Sequence, residues 1–305
     1  MDTKSSARPV PIPAGYVSLN DGREQVLGIS TGDEILNSRN IAAALGTPLP
    51  ATLDELIAVA HVDSVQQAVK QYLASGDRTA VVDRERQAFG PCVANPEKIV
   101  AVGLNYRDHA EEIGWPLPDH PLLFNKFNSC LLGHQGVLRL PRADTFKFDY
   151  ESELVIVMGK TAKAVTEKEA LSYVFGYCNG NDFSARDLQV RTSQVMLGKV
   201  CDGFFPLGPV IVPAAGVDPD NLDIECWVNG EQRQSSNTRN MIFSCAYLVS
   251  YISRYMTLKP GDLILTGTPG GPVMGKPAAE QKWLKAGDEI RTRFQGLGEL
   301  TFTLA

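Results

Sequence analysis

The chain has little of what a disulfide-stapled, membrane-spanning or nucleic-acid-binding protein needs. Its six cysteines (Cys92, Cys130, Cys178, Cys201, Cys226 and Cys245) are scattered and form no Cys-x-x-Cys pair. Reduced, mostly buried thiols are therefore expected, rather than disulfides or a thiolate zinc site. No stretch approaches the ~20 apolar residues of a membrane span. The opening residues, Met1-Asp2-Thr3-Lys4-Ser5-Ser6-Ala7-Arg8, hold no apolar core of a secretory signal. A formal net charge of −6 lacks the basic footprint of a nucleic-acid partner. Gly267, Gly270 and Gly271 are too loosely spaced for a phosphate loop, and no Lys-Ser/Thr follows them. No internal repeat or low-complexity segment occurs. The expectation is a cytosolic protein with neither membrane nor nucleic acid as partner.

What is present is enough apolar material for a large core: 44% of 305 residues are hydrophobic. That length suits one large domain, or a large one with a small one. Tyr16–Leu19 and Gln25–Ile29 flank Asn20-Asp21-Gly22, a hairpin signal. Residues 52–75 are predicted helical, with Thr52 and Glu55 at capping-box spacing. Pro91 and Pro96 then mark a boundary, giving a small N-terminal domain over 1–95 and a larger one over 96–305. From Lys98 onward strands dominate. Asn229-Gly230 marks a second hairpin, and Thr166 with Glu169 opens a short helix. Cys245, Leu248, Val249, Ile252 and Met256 recur at helical period within 244–257. The irregular alternation of strand and helix argues against a doubly wound sheet.

The chemistry begins at Asp149-Tyr150-Glu151-Ser152-Glu153, which runs into the apolar Leu154-Val155-Ile156-Val157-Met158. A strand sends residues i and i+2 to one face, so Glu151 and Glu153 project side by side. Like charges that close disfavour joint ionisation, and a hard divalent cation with oxygen ligands would relieve them. The alternative is the exposed polar face of a half-buried strand. Further on, Cys178-Asn179-Gly180-Asn181-Asp182-Phe183-Ser184 reads as a strand end passing into a helix. Asp182 there could complete a facial oxygen set. It could equally be an Asx turn or a cap, and Ser184 is a candidate N-cap.

At these residues the chain resembles the fumarylacetoacetate hydrolase superfamily. The resemblance is carried by Asp149–Leu154, Asn181–Asp187, Gly198–Pro209, Gly103–Glu112 and Gly261–Pro269, in that family's order, over about residues 97–305. Gln234-Ser235-Ser236-Asn237-Thr238 is similar to the domain-containing-protein-2 branch. The resemblance implies an α+β fold: a mixed β-roll or sandwich with flanking helices, behind a small N-terminal α+β domain. It also implies a homodimer with Mg2+ or Mn2+ as cofactor on Glu151, Glu153 and Asp182.

His109 and Glu112, three apart, share a face if helical, and a carboxylate-held histidine is better oriented and more basic. Gly114, Pro116 and Pro118 follow at once, as in a lid. The resemblance implies such a lid, with His109–Glu112 acting on water and the adjacent Glu111 outside the pair. Lys199, in the Gly-Lys motif, is placed to stabilise enolate or carboxylate charge. Thr268 can offer a hydroxyl and N–H to a substrate carboxylate, and Lys126 matches a family position near the pocket. Gly270-Gly271-Pro272 departs from the Pro-Gly that commonly follows this Thr-Pro. His61, His120 and His134 carry little weight, and Asp187 is read as a cap or a partner of Arg186. The implied substrate is a small anionic 2-oxo or 1,3-diketo acid of the acylpyruvate or fumarylpyruvate type. The expected reaction is metal-dependent C–C hydrolysis through a stabilised enolate. The alternatives are decarboxylation of an oxaloacetate-type acid, isomerisation or dehydration of 2-oxo acids, and a catalytically silent interaction module.

Overall fold

The computed structural model describes residues 11–59, 62–141 and 145–305. His61 lies outside them. Strands β1 (Gly15–Asn20), β2 (Gln25–Ser30) and β3 (Ile35–Asn37) form an antiparallel meander whose first turn is the expected hairpin. Helices α1 (Ser38–Leu45), α2 (Leu53–Val59) and α3 (Val62–Ser75) follow. The segment expected to be helical, 52–75, carries α2 and α3 in its described residues. Thr52 and Glu55 do cap the first of them: the Glu55 N–H donates to the Thr52 hydroxyl, and the Glu55 carboxylate accepts from the Ala51 N–H. Short β4 (Ala88–Phe89) returns to β1.

The remainder runs β5 (Ile99–Gly103), α4 (Arg107–Ile113), β6 (Leu122–Lys126), then short β7 (Leu131–Leu132), β8 (Gly136–Leu138) and β9 (Phe148–Asp149). The central β10 (Ser152–Met158) is followed by α5 (Glu167–Ala170) and β11 (Val174–Asn181). After β12 (Ser184–Ala185), α6 (Arg186–Gln189), β13 (Phe205–Pro206) and β14 (Val210–Pro213) comes the hairpin β15 (Asp223–Val228) and β16 (Glu231–Asn237). Its turn is Asn229-Gly230, both at positive φ, the geometry that Asn-Gly favours. Helix α7 (Cys245–Tyr255), capped by Ser244 on the Tyr247 N–H, occupies the segment expected from its period. Strands β17 (Leu263–Leu265), β18 (Glu289–Phe294) and β19 (Glu299–Leu304) close the chain.

These strands make a ten-stranded sheet in the order β3-β2-β1-β14-β11-β10-β17-β5-β6, with β4 beside β1, and a five-stranded sheet in the order β16-β15-β18-β19-β8. Both are mixed: β5–β17 and β8–β19 are parallel pairs among antiparallel ones. The fold is α+β, as expected. Strand β1 pairs with β14, Tyr16 opposite Ile211, so the segment before residue 96 extends the large sheet. Leu27, Ile41 and Tyr72 share one apolar cluster with Val155, Val157 and Cys178. The other face of β10, Leu154, Ile156 and Met158, packs on Leu248, Val249 and Ile252 of α7. Strand β10 is therefore buried on both faces, and the reading of an exposed polar face there does not hold. Among the described residues no helix is long and apolar enough to cross a membrane.

Gly176 shows how tightly this sheet is built. A Cβ there would stand 2.3 Å from the Val212 carbonyl oxygen of β14. Gly176→Ala should destabilise the protein by about 1–3 kcal/mol, as overpacking does. Urea unfolding measures this; an unchanged midpoint would mean that β14 moves aside freely.

Candidate active site

Strand β10 and the end of β11 bring the acidic residues together. Ser152 pairs with Asn181 across the two strands, which sets Glu151 and Glu153 beside Asp182. One carboxylate oxygen from each of the three lies within 4.8 Å of the others, and all three residues are buried. Cations surround them. Lys199 Nζ donates to Glu151 Oε2 at 2.6 Å and to Asp182 Oδ2 at 2.8 Å. Arg186 pairs with Glu151 at 2.6 Å and donates through Nε to Asp149 Oδ2 at 2.9 Å. Lys126 Nζ donates to Asp182 Oδ1 at 2.6 Å and to the Lys199 carbonyl.

Glu153 is the exception. Its Oε2 accepts the Gly267 N–H at 2.7 Å, and no cation is paired with it among the described ion pairs. Burial first, then Asp182 and Glu151, push its carboxyl well above the usual carboxylate range. Burial acts in the same sense on Glu151, but Arg186 and Lys199 outweigh it and hold that carboxyl low. Lys199 loses charge stability by burial and regains more from Asp182 and Glu151, so it stays protonated. Counting Asp149, four acidic groups face three cations, and Glu153 is the one with no cation paired to it, which favours its protonated form until a divalent cation supplies the charge. An all-oxygen donor set with more acids than cations fits a hard divalent cation and gives no reason to prefer zinc.

The three acids, Lys199 and Thr268 line one cavity together with His109 and Glu112. His109 Nδ1 lies 3.2 Å from Glu112 Oε2 on α4. With Nδ1 engaged, Nε2 is the ring nitrogen left for a ligand. The segment expected to be a lid is docked here. Gly271 N–H donates to the Glu112 carboxylate at 3.0 Å, and Asp108 accepts from the Ser236 hydroxyl and the Gly270 N–H. At its entry Asn105 donates to the Thr266 carbonyl at 2.8 Å and accepts the Phe243 N–H at 2.8 Å. At Gly270, where the chain departs from Pro-Gly, a Cβ would stand 3.4 Å from Glu112 Oε2, an ordinary contact, so the structure gives no steric reason for that departure; the constraint lies at the glycine after it. Gly271 sits at φ +113°, and a Cβ there would stand 2.3 Å from the Arg233 carbonyl oxygen.

Several expected residues are placed differently. Lys126 does not line the cavity; it is buried behind Asp182, where it can position that carboxylate. The Thr268 hydroxyl donates to the Ser152 carbonyl and accepts from Gln234 Nε2, so its side chain is engaged within the protein. Ser184 does not cap a helix: it lies in β12 and donates to the Asp182 carbonyl at 2.8 Å. Asp187 turns away from Arg186 to accept from the Thr145 hydroxyl and the Phe146 N–H. Sequence reasoning missed Arg186 and Asp149. Asp149 also accepts the Val273 and Met274 N–H groups, at 2.8 and 3.0 Å. The alternation that singled out Glu151 and Glu153 reaches back to Asp149 and was the available signal.

A buried carboxylate cluster thus shares one cavity with a carboxylate-held histidine, on a pair of mixed sheets. Residues 98–305 match the fumarylacetoacetate (FAA) hydrolase C-terminal family, and the chain belongs to it. Within that family it falls in the domain-containing-protein-2 branch. It is 39% identical over 257 residues, 83% of this chain and 78% of the relative, to oxaloacetate tautomerase fahd2, mitochondrial, of Xenopus laevis. It is 44% identical over 217 residues, 67% of this chain and 70% of the relative, to the fumarylacetoacetate hydrolase domain-containing protein 2 homolog of Dictyostelium discoideum. Among solved structures it is similar to maleylpyruvate hydrolase from Sphingobium sp. SYK-6 in complex with manganese(II) ion and pyruvate. There the TM-score is 0.76 at 29% identity, covering 95% of this chain and 98% of that one. The acidic cluster and this manganese-bound relative together support a divalent metal without choosing which.

Glu153→Gln removes an ionisable group whose charged form burial, Asp182 and Glu151 disfavour, and should raise the melting temperature of EDTA-treated protein. The same variant should lose the stabilisation that Mn2+ or Mg2+ gives wild type, about 2.7 kcal/mol at a hundredfold excess over Kd. Thermal shift with and without metal reads both; equal metal stabilisation of the two proteins would remove Glu153 from the ligand set.

Proposed function

We propose that this protein interconverts the keto and enol forms of a small 2-oxo acid of the oxaloacetate type, with a divalent cation held by Glu151, Glu153 and Asp182. The observation that carries the reading is that the carboxylate cluster and the His109–Glu112 pair face one cavity. A 2-oxo acid needs both: polarisation of its 2-oxo group and a group that moves a proton at the neighbouring carbon. The tautomerase name borne by the Xenopus laevis relative supports the same choice.

When bound, the cation supplies Lewis-acid polarisation of the 2-oxo group. Lys199 holds a permanent positive charge in a desolvated site, where it counts for more than at the surface. Glu112 fixes the His109 ring through Nδ1, so Nε2 can take the proton from the carbon beside the keto group and return it to oxygen or carbon. The contacts of Asp108 and Glu112 hold α4 over the cavity and keep bulk water from competing for that proton.

C–C hydrolysis is the second reading, and the same histidine favours it, because Nε2 could deprotonate water in place of carbon. Decarboxylation would need neither. His109→Ala should lower the rate of enol loss from oxaloacetate by about 10²–10⁴-fold, the usual contribution of a positioned acid–base group. Its Mn2+ affinity should stay within error of wild type. Wild type that cleaves acylpyruvates but leaves the oxaloacetate enol decay at its uncatalysed rate would decide for hydrolysis. Lys199→Met should lower kcat/KM on the same substrate, read as lost transition-state stabilisation; an unaltered value would remove Lys199 from the chemistry.

A further inference from the structure

The cavity is far larger than the acid just assigned to it. It holds about 840 Å³, within the roughly 300–1,000 Å³ of pockets that enclose drug-sized ligands. A four-carbon acid on the carboxylate floor would leave most of it empty. Much of the rest of the wall is apolar: Ile113 at the end of α4, Trp115 beyond it, Leu122 and Phe124 on β6, Val195 and Met274. Leu122 and Phe124 share a face of β6. Phe124 reaches the floor, its ring 5.5 Å from Lys199 Nζ. Trp115 and Leu122 form the outer end and are 59% and 50% exposed. Apolar surface left open at the rim of a site, and continuous with its chemistry, is surface that a ligand can cover.

The charges on this wall disfavour a second carboxylate there. Arg186 is engaged by Asp149, Glu151 and Gln189. Lys126 lies behind Asp182, and Lys199 between Glu151 and Asp182. Lys276, on the outer wall, is in the field of the Glu112 carboxylate. A distal anion would have to compete with a carboxylate for Arg186, Lys126 and Lys199.

We propose that the outer part of the cavity is a subsite for an apolar, ring-bearing tail, so that the protein prefers 2-oxo or 2,4-dioxo acids with an aryl or long acyl substituent to the bare four-carbon acid. This rests on the reading of the floor as a 2-oxo-acid site, and the test separates the two.

Isothermal titration calorimetry of the Mn2+-loaded protein compares 2,4-dioxopentanoate with 2,4-dioxo-4-phenylbutanoate. The two share a chelating head, so their ratio isolates the tail. The phenyl compound should bind at least about tenfold tighter, and Trp115→Gln and Leu122→Asn should each cut that ratio to about twofold or less. Binding of the methyl compound should be unchanged in both variants, whose altered side chains are largely exposed and so should not disturb folding. Equal affinity of the two compounds for wild type overturns the subsite. So does a preference that survives both substitutions, because the tail then lies elsewhere. If light scattering shows that the variants change oligomeric state while the preference survives, the apolar wall is a subunit interface instead. Failure of both compounds to bind, with no turnover of oxaloacetate, would sink the reading of the floor as well. Turnover of oxaloacetate without a tail preference would sink the subsite alone.

Discussion

The ammonium of Lys199, set between Glu151 and Asp182, is the interaction on which the rest of the site depends. Three carboxylates in a sheet core cannot all stay ionised without countercharge, because burial penalises each of them heavily. Lys199 pairs with two at once, Arg186 steadies Glu151 from the other side, and Lys126 supports Asp182 from behind. What remains is Glu153, buried and held only by a backbone N–H. The cations offset part of the cost of burying the acids and leave Glu153 without one, an arrangement that a divalent cation would complete.

The same pairs transmit position. Arg186 ties Glu151 to Asp149, and Asp149 grips the backbone at Val273 and Met274. That backbone borders the cavity beside α4, whose own footing is Asp108 on Ser236 and Glu112 on Gly271. The acidic cluster, His109 and the cavity wall are thus linked through polar contacts, and several pass through backbone N–H groups that side-chain substitution leaves in place. The glycines at 267 and 271 are part of this frame. Each adopts a positive φ, and each packs so closely on neighbouring atoms that a Cβ would collide.

Chemistry on such a floor diverges late. Tautomerisation, C–C hydrolysis and decarboxylation all begin by drawing charge onto the oxygen of a 2-oxo acid. They part only at what receives or supplies the proton, and at what fills the space around the reacting carbon. In the function we propose, the first falls to a single ring nitrogen of His109. The second is set by the cavity wall, where α4, β6 and the Val273–Gly275 turn meet.

Local rules determined much of this protein from the chain itself. Period-two alternation placed Glu151 and Glu153 together, Asn-Gly made the turn at 229–230, and helical period and a serine cap drew α7. The His109–Glu112 contact is also local, since three residues of helix suffice to form it. Tertiary structure alone decided what depends on long-range pairing. Lys126 lies 73 residues from the Lys199 carbonyl it holds, so no spacing rule could turn it from pocket residue to hidden support. Thr268 and Gln234 meet across 34 residues, which engages a hydroxyl that the sequence left open. Arg186 and Asp187 are neighbours in the chain, yet one turns inward to the acids and the other outward to a loop. Only the partners that β9, β10 and the loop before β9 present to each side chain could separate those two roles.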